Sequence, residues 1–171
     1  RFVNSKAIRD KNARDLLPLL EEKEDFKNKF SSFPDDKKCA LIELVKPRMK
    51  TLDQFEPKFD MYLKGDLDYS NPDLEKLKES YPVENIISHL RTIRAHVDTL
   101  APADFNSAVL EAGLRECAEK HGLKAADLVH PVRFAITSEM VSPSVFDVLA
   151  FLGKEESIRR MDGLIEFLEK R

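Results

Sequence analysis

Three features of the sequence predict an all-α fold. Apolar residues recur at helical spacing from end to end. Leu, Glu, Lys and Ala, all good helix formers, fill the segments, and with only five Gly in 171 residues few positions interrupt them. The one strand-like run, Val132 to Thr137, is too short and too isolated to build a sheet.

The elements follow in order. From about Asn12 to Phe30, Leu16, Leu17, Leu19 and Leu20 stand among dense charge and predict a first helical segment. Pro34-Asp35-Asp36 opens a second, with Asp as N-cap acceptor; it carries Cys39, Leu41, Ile42, Leu44 and Val45 until Pro47 interrupts it. Thr51 caps a third segment with Leu52, Phe55, Phe59, Met61, Tyr62 and Leu63, in which Pro57 predicts a kink or a break. Gly65-Asp66 and Ser70-Asn71-Pro72 are turn signals around a short linker, dividing the chain into two small subdomains, 1–66 and 67–171.

In the second subdomain a short helix, Asp73 to Ser80, stops before Pro82. A long one from Val83 to Leu100 places Val83, Ile86, Ile87, Leu90, Ile93, Val97 and Leu100 on one face. After Ala101-Pro102 comes a helix carrying Phe105, Val109, Leu110, Leu114, Cys117 and Ala118, with Gly122 where a left-handed C-cap is expected. Lys124 to Val129 reads as a brief helix halted near Pro131. Ser142-Pro143 supplies an N-cap and a first-turn Pro for a helix ending at Gly153, and Lys154 to Lys170 forms the last helix.

Composition narrows the function. Hydrophobic residues at 42% and charged residues at 35% describe a globular chain rather than a disordered one. A net charge of -3 supplies no global field for nucleic acid, so any RNA contact must be local. Cys39 and Cys117 lie far apart without a Cys or His at ligand spacing, which predicts reduced core thiols and a cytoplasmic setting. No apolar run has membrane-spanning length, and a start at Arg rather than Met predicts a fragment of a longer protein. No His-Glu-x-x-His, Gly-rich phosphate loop, nucleophile elbow or Cys-pair metal motif is present. His89 and His96 stand two helical turns, about 10 Å, apart, too far to share a metal alone. All four His, with His121 and His130, are expected to pack or face solvent. Glu155-Glu156 and Asp35-Asp36 fall at helix starts, where they favour the macrodipole.

Two places invite a binding role. Arg48 follows Pro47 near the end of a helical run: it either projects from an exposed corner or satisfies the last carbonyls of its helix. Lys46, Lys50 and Lys58 complete a small basic patch around it. Arg133, between Val132 and Phe134, either reaches out from an apolar wall or pairs with Asp127 or Glu139. Ser142-Pro143 explains itself as a helix start, yet its free amides would also suit a base edge or a phosphate, with Pro143 and Val145 as flat apolar contacts.

Taken in order, Phe2-Val3-Asn4, Lys46-Pro47-Arg48-Met49-Lys50-Thr51-Leu52, Leu123 to Pro131, and Pro131 to Gly153 resemble successive motifs of the C-terminal anticodon-binding region of bacterial-type glutamyl-tRNA synthetases. That resemblance implies a helical cage of two small subdomains that holds the anticodon loop of glutamate tRNA and performs no catalysis. It implies that Arg48 reads the third anticodon base and Arg133 the first, that Ser142 and Pro143 hold the second, and that Val145 packs beside the first two. Glutamate tRNAs end their anticodon in C and glutamine tRNAs in G. A guanidinium meets the N3 and O2 acceptors of C but opposes the N–H donors of G, so Arg48 implies discrimination against glutamine tRNA. The resemblance further implies no cofactor in this fragment, with ATP and Mg belonging to the N-terminal catalytic domain, and a monomeric protein. The chain departs from the family at Ser138, where Gly is usual, and at Ser144, where Gly is frequent. The competing expectation is a helical protein–protein interaction module with an incidental basic corner.

Overall fold

The computed structural model describes residues 4–65 and 67–171; Phe2 and Val3 of the first motif, and Asp66 of the linker, lie outside them. Among the described residues there is no strand, and no helix is long and apolar enough to cross a membrane. The fold is all-α, in two compact units, Arg1–Asp66 and Leu67–Arg171.

The first unit is a set of short helices around an aromatic core. Asn4 caps α1 (Ser5–Asp10) by accepting the Ala7 amide at 2.9 Å. Asn12 does the same for α2 (Ala13–Glu21), which packs on α4 (Asp35–Val45). The single segment expected from Asn12 to Phe30 is instead α2 followed by α3 (Glu24–Lys29). Between Leu20 and Phe26 no apolar residue exists to bury, so nothing holds that turn to the core. Phe26, Phe30 and Phe59 meet with centroids 4.8 to 5.2 Å apart. The cap of α4 is Pro34, with no side-chain bond; Asp35 and Asp36 sit inside the first turn, where Asp35 pairs with the buried Lys38 at 2.9 Å. A 3-10 turn, Lys46–Arg48, ends α4. A second, Leu52–Gln54, leads into α5 (Phe55–Phe59) and a π-helical turn, Asp60–Lys64, closed by Gly65 at φ +72. Pro57 breaks nothing, because in the first turn of α5 its missing N–H has no partner to lose.

The second unit is built around α7 (Val83–Thr99), which contacts α8 (Ser107–Lys120), α9 (Ala125–Thr137) and α11 (Lys154–Glu169). α6 (Pro72–Ser80) lies against α9, and α10 (Val145–Leu152) against α8, α9 and α11. Phe105 precedes α8 instead of lying on it, since a 3-10 turn at Pro102–Asp104 comes first and Asn106 provides the cap.

The largest departure is α9. The brief helix and the strand-like run form one helix that passes through Pro131. Proline there forfeits the bond to the Asp127 carbonyl, which ordinarily costs about 3 kcal/mol. Burial outweighs it: Val132, Phe134, Ala135, Ile136 and Thr137 are all fully buried. A helix end buried at every residue but Arg133 reads as a nearly continuous apolar run, which periodicity alone does not distinguish from a strand.

Candidate nucleic-acid interface

Arg48 closes the 3-10 turn, where Met49 N–H donates to the Lys46 carbonyl at 3.1 Å. Val45 and Met49 on either side are buried and fix the corner, so Arg48 between them faces solvent. Among the described residues no carboxylate lies within ion-pair distance of its guanidinium. The neighbouring lysines differ. Lys46 is spent on structure, donating to the Lys11 carbonyl at 2.9 Å and pairing with Glu43 at 2.7 Å. Lys50 is exposed, and its amide donates to Gln54 Oε1 at 2.6 Å, which pins the chain just after the corner. Thr51 and Leu52 thus serve the same bend that presents Arg48.

In the second unit Arg133 projects from α9, half-buried, and its Nε donates to Ser142 Oγ at 3.0 Å. Asp127 accepts the Lys124 amide at 2.9 Å and so caps the start of its own helix. The Ser142 hydroxyl donates onward to the Pro143 carbonyl at 2.7 Å. Ser142 is therefore not the N-cap of the next helix: that position is Ser144, without a side-chain bond, and α10 begins at Val145. Arg133 and Ser142 are brought together; Arg48 belongs to the other unit.

Pro143 and Val145 are buried, Val145 at 2% exposure. The expectation that they offer flat faces to a base is corrected accordingly. Their side chains face the core, and in this structure they support the loop from within.

That loop, residues 138–144, is held at nearly every residue. Ser138 ends α9 at φ +55 with its amide on the Phe134 carbonyl at 2.7 Å. Asn71 Nδ2 donates to the Ser138 carbonyl at 2.8 Å, Thr137 Oγ1 accepts the Glu139 amide at 3.1 Å, and Asp73 Oδ2 accepts the Met140 amide at 3.0 Å. A hydrogen bond from Lys76, with the one from Met140, holds the Asp73 carboxyl below the usual carboxylate range. At the C-terminal end of α9, the fully buried Arg160 donates to the Ile136 carbonyl and to Glu156, both at 2.8 Å. Tyr69 hydroxyl lies 2.7 Å from the Ala135 carbonyl and 2.9 Å from that of Arg160, and burial pushes its pKa well above the usual range.

Only one large apolar side chain is strongly exposed among the described residues: Val141, at 75%, in this loop. Sequence reasoning missed it, because a Val between Met and Ser carries no sign of exposure. It also missed Asn71 and Asp73, legible as a helix start but not as clamps on a loop 67 residues away. Among the described residues no group of three or more His, Cys, Asp or Glu could hold a metal. Cys39 and Cys117 are free and half-buried, and burial raises both thiol pKa values.

Residues 11–165 match the model of a family described as an anticodon binding domain. Glutamate–tRNA ligase 1 of Caldanaerobacter subterraneus subsp. tengcongensis is 27% identical over 177 residues, covering 99% of this chain and 34% of the ligase. A glutamate–tRNA ligase of Thermus thermophilus is 33% identical over 122 residues, covering 71% of this chain and 24% of its own. A crystal structure of a glutamate tRNA ligase from Elizabethkingia meningosepticum shares the fold with a TM-score of 0.74 at 22% identity, over 96% of this chain and 31% of that one. The chain thus spans a quarter to a third of the length of these relatives.

Proposed function

Since the chain belongs to the anticodon-binding-domain family, we propose that it reads the anticodon loop of glutamate tRNA as the C-terminal part of a glutamate–tRNA ligase. The ligation itself, with ATP and Mg, belongs in this reading to an N-terminal catalytic domain, and the cytoplasm is where it acts. Both units, 1–66 and 67–171, are anticodon-binding subdomains, and the protein works as a monomer.

Arg48 grips the third base, a cytosine. Its two parallel N–H donors fit N3 and O2 of the Watson–Crick edge, whereas guanine at that place turns its own donors toward them. Opposed donors out of water cost roughly 1–3 kcal/mol each, enough to reject glutamine tRNA. Arg133, oriented by its bond to Ser142, takes the first base. Ser142 and Pro143 hold the second through the backbone of their loop, and Val145 secures that loop from the core side.

The observation that carries the reading is the exposed guanidinium of Arg48, without a carboxylate partner among the described residues, on an anchored corner inside the family match. The test is titration of the chain with glutamate tRNA and with a variant bearing G at the third anticodon position. Preference for C of roughly tenfold or more is expected, lost in Arg48→Gln. Equal binding of both RNAs, with Arg48→Gln harmless, would favour the protein–protein interaction module.

A further inference from the structure

We propose that Val141 is the apolar contact on which this surface seats an unstacked base of the anticodon loop. The inference rests on the RNA reading above and reassigns a role that sequence gave to Pro143 and Val145, both of which are buried.

A scattered exposed apolar residue on a protein surface needs no explanation. Val141 differs in how it is exposed. On its N-terminal side Met140 is clamped by Asp73, Glu139 by Thr137, and Ser138 by Asn71. On its C-terminal side Ser142 is tied to Arg133, and Pro143 is buried. The segment around Val141 is therefore fixed, with the side chain directed outward at 75% exposure. A clamped loop cannot bury that side chain by relaxing.

The surroundings specify the occupant. A nucleobase has an apolar face and a polar edge, so a seat for one needs an apolar wall beside hydrogen-bonding groups. Single-stranded RNA loops are recognised in this way, with bases splayed out, packed on side chains and bonded at their edges. Val141 supplies the wall; the next residue, Ser142, is joined to the Arg133 guanidinium. Valine is β-branched and stiff at its first torsion, so little rotamer freedom is lost on contact, and the prefixed loop lowers the ordering cost further. A protein partner would bury an apolar patch, whereas here a single large apolar side chain is exposed among the described residues.

The experiment uses the chain with an anticodon stem-loop RNA of glutamate tRNA and a second stem-loop with the loop sequence shuffled. Affinities are measured for the wild type, Val141→Ser and Val141→Ile, and the Val141 methyl resonances are followed during titration. Val141→Ser is expected to weaken anticodon stem-loop binding roughly three- to tenfold, with Val141→Ile within about twofold of the wild type. The methyl resonances should shift with the anticodon stem-loop, and the melting temperature of Val141→Ser should match the wild type, since the side chain is exposed. Unchanged affinity in Val141→Ser and unmoved methyls, in a wild type that still prefers the anticodon loop, would overturn the contact and leave the RNA reading intact. Failure of the wild type to prefer the anticodon loop over the shuffled one would bring down both.

Discussion

Ser138 is the only non-glycine residue with positive φ among the described residues. The family resemblance implies Gly at this position, and the backbone supplies a reason. Ending α9 in the left-handed region sets a Cβ against the following carbonyl, at roughly 1–2 kcal/mol, while a Gly there adds roughly 0.5–1 kcal/mol of unfolded-chain entropy. Ser138→Gly should therefore stabilise the chain by up to about 1 kcal/mol, seen as a melting point higher by a few degrees; a lower melting point would show that the serine side chain holds the loop. Gly113 is the opposite case. A Cβ built on it would stand 2.1 Å from His96 Nε2, which is buried and has no hydrogen-bond partner among the described residues. Gly113→Ala is expected to destabilise by about 1–3 kcal/mol through overpacking. The double variant with His96→Ala should lose less than the sum of the two single losses, because removing the ring makes room for the methyl. Gly113's role was not legible, since it sits within an ordinary helical pattern; for His96, of the two expected settings, the structure shows the packed one.

At the scale of elements, the sequence was most readable where an amphipathic helix meets solvent, as in α7, where Ile86, Leu90, Ile93 and Val97 of the expected face are buried while Val83 and Ile87 are half-buried. It was least readable in α9, where burial of nearly every residue after His130 obscures the periodicity, and at the start of α10, where Ser142-Pro143-Ser144 offers two caps two residues apart. The clamps on the 138–144 loop were not legible, because they reach in from Asn71 and Asp73. The Glu156 carboxyl in the first turn of α11 has its pKa lowered from 4.5 to about 2, chiefly by a hydrogen bond from Arg159 and against the effect of burial, with Arg160 adding to the depression. A folded-state pKa below the unfolded one means stability that is present above pH 4.5 and lost as pH falls toward 2. Glu156→Gln should remove that acid-dependent loss from a melting series. At neutral pH it should cost about 1.5–3 kcal/mol, because it removes a charge-assisted hydrogen bond to the buried Arg160 guanidinium. An unchanged acid profile would mean that Glu156 is not the group responsible.

For the whole molecule, a net charge of -3 requires RNA binding to rest on a few local cations. Which ones remain uncommitted is decided by the fold, since many pairings join residues far apart in sequence. Lys23 pairs with Asp53, Lys29 with Glu56 and Asp60, Lys38 with Glu21, and Arg91 with Glu169. Charge counting sees the total and not these partnerships, which is why the basic patch read around Arg48 loses Lys46 once that residue is found tied to Glu43. A phosphate neutralised by one lysine contributes about 0.7–0.9 to the slope of log affinity against log salt. Lys50→Ala should lower the slope measured with glutamate tRNA by about that amount and weaken cognate and G-bearing tRNA alike, since a phosphate contact carries no base information. Lys23→Ala and Lys29→Ala should leave the slope nearly unchanged, because the carboxylates beside those lysines already offset their charge. Equal slope losses for all three would mean that the molecule attracts RNA through a diffuse field, which its overall charge opposes, rather than through the corner that carries Arg48.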